Sequence, residues 1–178
     1  LGMLTRDFLG VKTLTVIDKC VQLARKRDPD FDIGSIPMDD KSSFNIYNRG
    51  ETLGVFQVES SGITSCCKRW DVTTIDDIVA IGAIYRPGPM QFIDEYIARK
   101  QGYKEVEYAH PLLKEACHDT YGIMIYQEQV MKAATLLAGY TLGQSDLLRR
   151  AMGKKDKEKM AKERDCFVKG CKKVNDIP

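Results

Sequence analysis

The chain has 178 residues, 43% of them hydrophobic and 29% charged, an ordinary globular composition with enough apolar material for a sizeable core. A net charge of +2 is too small to announce nucleic-acid binding over the whole surface, so any basic site has to be local. No run of about 18 apolar residues and no charged-then-apolar leader occurs, which argues against membrane spanning and secretion and points to a cytoplasmic protein.

Six cysteines (Cys20, Cys66, Cys67, Cys117, Cys166, Cys171) form no CxxC pair, and the two histidines, His110 and His118, do not stand at zinc-ligand spacing from them. They read as reduced thiols. The chain opens on the apolar run Leu1-Gly2-Met3-Leu4 rather than on a methionine start, as a segment excised from a longer protein would.

In chain order, Leu1 to Phe8 reads as a strand ending at Asp7-Phe8, with Leu9-Gly10 as its exit. A carboxylate there is either a cap for the following turn or a metal ligand. From about Lys12 a helix follows, with Leu14, Ile17, Val21 and Ala24 on one stripe; Arg25, Lys26 and Arg27 suit its C-terminal dipole, and Asp28-Pro29 ends it. Asp30 to Ser35 is a loop. Asp39-Asp40 then offers caps for a short helix through Phe44 and Tyr47 that Gly50 closes. Leu53 to Val58 is a short buried strand candidate, and Ser60 or Ser61 caps a helix running to Trp70. Thr74 and Asp77 make a capping box at the head of an almost wholly apolar helix (Ile75, Ile78, Val79, Ile81, Ile84), which is expected to be the core helix.

That helix runs into Tyr85-Arg86-Pro87-Gly88-Pro89, where two prolines around a glycine force a rigid turn and hold Arg86 in a fixed place. Arg86 either caps the helix before it or serves a site. Met90 to Lys100 is amphipathic, with Gly102 as its stop. His110-Pro111 starts a helix through Leu112, Leu113 and Ala116. Tyr121 to Tyr126 is apolar enough for a strand or a helix entry, and Val130, Ala133, Ala134 and Leu137 carry a helix to Gly139.

Thr141 and Gln144 form a second capping box, so a helix begins at Leu142. Its register places Leu147, Leu148, Ala151 and Met152 on one side, and Arg149, Arg150 and Lys154 on the other with Gly153 between them. Two guanidiniums can grip phosphate oxygens bidentately, Lys154 and Lys155 add compact charges, and the glycine lets an anion approach the backbone. A basic helix face is more often a solvated face. Here the neutralising residues Asp156, Glu158, Glu163 and Asp165 come only afterwards, and Asp146 is the one counter-charge within the stretch. Met160, Phe167 and Val168 suggest one more, highly solvated helix before the end.

Several stretches together resemble the alpha subunit of bacterial DNA polymerase III, the C-family replicative polymerases. They are Asp7-Phe8-Leu9-Gly10 with Thr13-Leu14-Thr15-Val16-Ile17, Gly54-Val55-Phe56-Gln57-Val58-Glu59-Ser60, Tyr85-Arg86-Pro87-Gly88-Pro89, Tyr121-Gly122-Ile123, Tyr126-Gln127-Glu128-Gln129-Val130-Met131 and Leu147-Leu148-Arg149-Arg150-Ala151-Met152-Gly153-Lys154-Lys155. They occur in family order and span nearly the whole chain. The resemblance implies a mainly α fold with a few short strands: residues 1–11 as the C-terminal end of a nucleotidyltransferase-like palm, closing on its last strand, and residues 12–178 as the first part of a helical fingers domain.

In that family the palm carries three catalytic aspartates that hold two magnesium ions. Asp7 matches the third, and the two others have no counterpart in this sequence. The implied activity is template-directed addition of deoxynucleotides to a primer 3′ end by two-metal phosphoryl transfer, with the isolated segment inactive. By the same resemblance Arg149, Arg150, Lys154 and Lys155, with Arg86, orient the incoming triphosphate. The implied partners are primer-template DNA, the incoming deoxynucleoside triphosphate, and other subunits of the replicative holoenzyme including the sliding clamp, mostly through regions absent here; none is a membrane. The family commonly has a lysine two residues before the third aspartate, whereas Thr5 stands here, and Arg6 would point to the opposite face of a strand.

A different kind of phosphate-handling enzyme would call for a Walker-type loop, and Gly153-Lys154-Lys155 lacks both the upstream glycine and the terminal hydroxyl. A helical nucleic-acid-binding module without catalysis is the other reading. It requires basic residues spread along a groove rather than gathered on one helix.

Overall fold

The computed structural model describes residue 3, residues 6–154 and residues 157–177. Among them run nine α-helices: α1 (Lys12–Arg25), α2 (Lys41–Arg49), α3 (Ser61–Trp70), α4 (Ile75–Ile84), α5 (Ile93–Lys100), α6 (Lys114–Cys117), α7 (Gln127–Ala138), α8 (Leu142–Gly153) and α9 (Lys157–Asn175). Short 3-10 turns at Pro89–Phe92, Pro111–Leu113 and His118–Thr120 replace parts of what the periodicity predicts as longer helices. None of the helices among the described residues is long and apolar enough to cross a membrane.

The described residues contain no strand, so the expected few short strands and the attachment to a palm strand are corrected to an all-α fold. Of the first candidate, residues 1, 2, 4 and 5 lie outside the described residues, and residues 6–10 are exposed irregular chain. Leu53 to Val58 cannot stay extended because Gly54 and Gln57 take left-handed backbone, with φ of 83° and 63°. Successive turns result, Val55 N–H donating to the Thr52 carbonyl and Val58 N–H to that of Val55, each at 3.0 Å. At Tyr121 and Gly122 the same happens, with φ of 53° and 81°; a Cβ at Gly122 would also lie 2.6 Å from the Glu107 carbonyl oxygen. The apolar runs that suggest strands are turns that bury Val58 and Ile123 in the helical core, with Val55, Tyr121 and Ile125 partly buried against it. Apolarity alone does not distinguish the two.

The described residues form two cores. The first gathers α2 to α5 around Trp70 and Ile84, both fully buried, with Trp70 stacked on Tyr96 at 4.5 Å between ring centroids. As expected, α4 belongs to it, through Ala80, Ile81 and Ile84, although Ile75 and Val79 remain exposed. The capping box at its head forms: Thr74 Oγ1 accepts from Asp77 N–H, and the Asp77 carboxylate accepts from Thr74 N–H. Burial pushes the Asp77 carboxyl up, but hydrogen bonds from Thr73 and Trp70 and the charge of Lys100 outweigh it and hold it below the ordinary aspartate range.

The second core lies between α7, α8 and α9, where Ala134, Leu137, Leu148 and Cys171 meet. Here α9 lies tight against the end of α7 at Gly170, where a Cβ would stand 2.5 Å from the Ala138 carbonyl oxygen and 2.8 Å from its Cβ. Gly170→Ala should therefore push the two helices apart and destabilise the fold by about 1–3 kcal/mol, the range for overpacking. Urea unfolding of the two proteins checks this; an unchanged midpoint would mean that α9 packs more loosely than the structure has it.

All six cysteines are free thiols, as the spacing predicts; Cys66, Cys67, Cys117 and Cys171 are buried, and burial pushes the Cys66 thiol up to about 11. The amphipathic pattern of α1 is present, yet of its apolar stripe only Val21 is buried, while Leu14, Val16 and Leu23 stand well exposed.

Candidate phosphate-binding site

The capping box at α8 forms as expected, with Thr141 Oγ1 accepting from Gln144 N–H and the Gln144 carboxamide oxygen accepting from Thr141 N–H. The inward side of α8 is narrower than its register suggests. Ser145, Leu148 and Ala151 are buried along the edge that packs on the fold, whereas Leu147 and Met152 stay exposed. Across that edge the hydroxyls of Ser145 and Thr135 of α7 lie 3.2 Å apart.

Asp146 organises the basic side. Its Oδ1 accepts from Arg149 Nε at 3.0 Å and Nη2 at 2.7 Å, and its Oδ2 pairs with Arg150 Nε at 2.7 Å. One carboxylate thus orients both guanidiniums. The hydrogen bond from Arg149, reinforced by the charge of both arginines, holds the Asp146 carboxyl below its ordinary value, so it stays ionised wherever the arginines are needed.

The two arginines do not serve one space. Arg149, with its side chain 35% exposed, donates its remaining Nη1 to Gln127 Oε1 at 3.3 Å and borders a cavity of about 700 Å³. Arg86 lies on the same cavity with Pro87 and Pro89, and so do Met152 and Gly153. Gln127 is the first residue of α7, so the positive end of that helix also borders the space. The capping reading of Arg86 holds, its Nε donating to the Gly82 carbonyl at 3.2 Å at the end of α4, and the residue also borders the cavity. Gly88, at φ 107°, turns the chain between the prolines as the sequence suggests. Beyond Arg86 a further cavity of about 480 Å³ opens, lined by Gln57, Tyr126 and Gln127 over an apolar floor from α4.

Arg150 and Lys154 face elsewhere. With Lys159, Lys162 and Glu163 of α9 they line a cavity of about 370 Å³ between α8 and α9. Glu163 is oriented by Tyr140, whose hydroxyl donates to Oε2 at 3.1 Å; burial, with the Glu163 carboxylate second, pushes that phenol up to about 12, so it remains a donor. Lys155 lies outside the described residues.

Asp7 stands on exposed irregular chain, remote in sequence from these helices. Among the described residues, no three His, Cys, Asp or Glu side chains gather into a set that could hold a metal ion, so these residues do not by themselves fit the two magnesium ions implied by the resemblance.

Sequence reasoning left Gln127, Lys159 and Lys162 out of the site. Gln127 stands in the Tyr126-Gln127-Glu128-Gln129 stretch that carries the resemblance, which is a usable signal. Its neighbour Gln129 is structural: Oε1 accepts from Ile125 and Tyr126 N–H at 2.8 and 3.0 Å, and Nε2 donates to Thr120 Oγ1 at 2.6 Å. Nothing in the local pattern marks Lys159 and Lys162 among the many charges of α9.

The family described as the bacterial DNA polymerase III alpha subunit finger domain matches residues 13–175. The chain is 46% identical to DNA polymerase III subunit alpha of Caulobacter vibrioides, over 98% of this chain and 15% of that protein. It is likewise 46% identical to that of Escherichia coli strain K12, over 97% of this chain and 16% of that protein. With the Chlamydia trachomatis protein of the same name the identity is 48%, over 93% of this chain and 14% of the relative. The chain therefore spans about a seventh of the length of these relatives.

Proposed function

The chain belongs to the bacterial DNA polymerase III alpha subunit finger domain family, and on that premise we propose that it is the helical phosphate-binding part of a replicative DNA polymerase. In this reading it receives the incoming deoxynucleoside triphosphate and primer-template DNA, and performs no chemistry alone. The observation that carries it is the convergence of Arg86, Arg149 and the N-terminus of α7 on one cavity. These groups come from three separate stretches of sequence. A solvated face would not bring them together.

The chemistry of the grip follows from the geometry. Arg149 is held by Asp146 and Gln127, so its fork is oriented before a ligand arrives and little further ordering is needed. Arg86 is held by the Pro-Gly-Pro turn and by its bond to the Gly82 carbonyl. Gly153 leaves the backbone bare on the same wall. A triphosphate in this cavity would meet two guanidiniums and a helix dipole, the donors suited to a charge that grows on the leaving phosphates.

Asp7 we assign as one ligand of a magnesium site whose other carboxylates belong to the longer polymerase, within residues 1–11 as the end of a palm. One carboxylate supplies a small share of the roughly six oxygens a magnesium ion takes. No step of the reaction is derived from it.

The reading of a nucleic-acid-binding module without catalysis is favoured by a separate observation: basic residues of α8 and α9 line a second cavity, away from Arg86 and Arg149. The two readings share a test. The purified chain should bind dATP and a primer-template duplex, and should extend no primer at any magnesium concentration. Binding of neither would sink both readings, and primer extension by rigorously clean protein would contradict the absence of catalysis.

A further inference from the structure

Among the described residues the cavity between α8 and α9 is lined by four cations, Arg150, Lys154, Lys159 and Lys162, against one anion, Glu163. The first two come from the last turn of α8 and its cap, the last two from the first turns of α9. Basic residues on two helices facing one space make a groove, whereas a single basic helix makes only a face. We propose that this cavity is a second phosphate site, separate from the cavity of Arg86 and Arg149, and that it takes a backbone phosphodiester of single-stranded DNA.

The kinds of residue differ between the two cavities in a way that selects the guest. Around Arg149 a guanidinium is clamped on two sides, which suits a phosphate chain held in one geometry. In the cavity between α8 and α9 three of the four cations are lysines, hydrated point charges on flexible stems, which suit a backbone that passes through at no fixed angle. Arg150 pairs through Nε with Asp146 Oδ2, and its side chain remains 65% exposed at the cavity. Leu147 and Ala151 line the same cavity with apolar surface, and Leu147 stands 61% exposed, a contact for a sugar rather than for water. Glu163 is fixed by Tyr140, and with Asp146 paired to Arg150 it moderates the positive charge of the site, favouring singly charged phosphodiesters that must also leave. The proposal deepens the nucleic-acid-binding reading but does not depend on a nucleotide occupying the first cavity.

The test uses the whole chain, a fluorescent short oligo-dT strand titrated over a series of KCl concentrations, and dATP and tripolyphosphate as separate ligands. Replacing both Lys159 and Lys162 by Gln should weaken oligo-dT several-fold and lower the slope of log affinity against log salt by about 1.4, at about 0.7 for each lost contact to a single strand. The affinity for dATP should not change. Glu163→Gln keeps an acceptor for Tyr140 and removes the anion that lines the cavity, so it should tighten oligo-dT; a damaged fold would not produce a gain. If the double variant keeps both oligo-dT affinity and salt slope, the cavity takes no backbone and the proposal fails. It fails equally if the variant loses tripolyphosphate or dATP and keeps oligo-dT, because the guest is then a terminal phosphate. The oligo-dT arm decides even if dATP proves not to bind at all, so failure of the triphosphate reading is seen separately.

Discussion

Arg149→Lys should cost the nucleotide site about 1.5–3 kcal/mol, the range for a hydrogen bond to a charged group, while leaving single-stranded DNA affinity almost untouched. The replacement keeps a positive charge and removes the fork. Arg149 uses three nitrogens at once, two on Asp146 and one on Gln127, and an ammonium on a flexible stem cannot satisfy both partners and still present a donor to the cavity. Arg150→Lys is the internal control. Its side chain is 65% exposed, lines the other cavity and pairs with Asp146 through Nε, so its effect on nucleotide affinity should fall within about 0.5 kcal/mol. Calorimetric titration of dATP into the chain and both variants, alongside oligo-dT binding at fixed salt, reads the difference. If the two lysine variants lose nucleotide affinity equally, the division of the arginines between two cavities is wrong. If Arg149→Lys loses DNA affinity alone, the Arg86 cavity has been given the wrong guest.

Asp77→Ala should destabilise the fold by about 3–5 kcal/mol, the cost of removing one partner of a buried charge pair. Asp77 is 6% exposed and collects its donors from three directions. Trp70 Nε1 donates to Oδ1 at 3.0 Å, Thr73 N–H and Oγ1 to Oδ2 at 2.9 and 3.1 Å, and Lys100 Nζ pairs with Oδ1 at 3.4 Å. Truncation leaves a buried indole N–H without an acceptor and Lys100 with only the Asp71 carbonyl. Asp77→Asn should be milder but still damaging, since its NH2 would face donors. Because the folded carboxyl lies below its unfolded value, the stability it contributes is complete above about pH 3.9 and is lost as the pH falls through the folded pKa. Urea midpoints of the parent and Asp77→Asn from pH 7 downward should therefore converge at the acid end. Parallel curves would show that Asp77 acts through packing and not through its charge.

The capping boxes at Thr74 and Thr141, the glycine stops at Gly50 and Gly139, and the apolar stripe of α4 are all legible in the sequence because each depends on bonds between residues a few positions apart. The same holds for the rigid turn around Arg86 and the clustered charge at the end of α8. Family membership is legible for a related reason: the motifs are short and keep their order. The strand reading of Leu53 to Val58, and the strand alternative for Tyr121 to Tyr126, fail because a strand is defined by a partner elsewhere in the chain, and an apolar run does not state whether one exists.

The division of the site was beyond sequence reasoning altogether. Helix register places Arg149 and Arg150 on one basic side, since adjacent residues are about 100° apart on a helix and both clear the apolar edge. Only the packing of α7 and Arg86 on one flank of α8, and of α9 on the other, turns that side into two spaces with different walls. Asp77 shows the same limit in the core: its capping role is local and was visible, whereas Trp70 and Lys100 reach it from two other helices. Chain-local hydrogen bonds set where each helix starts and stops, and burial against distant elements decides which side chains meet and therefore which ligand they can hold.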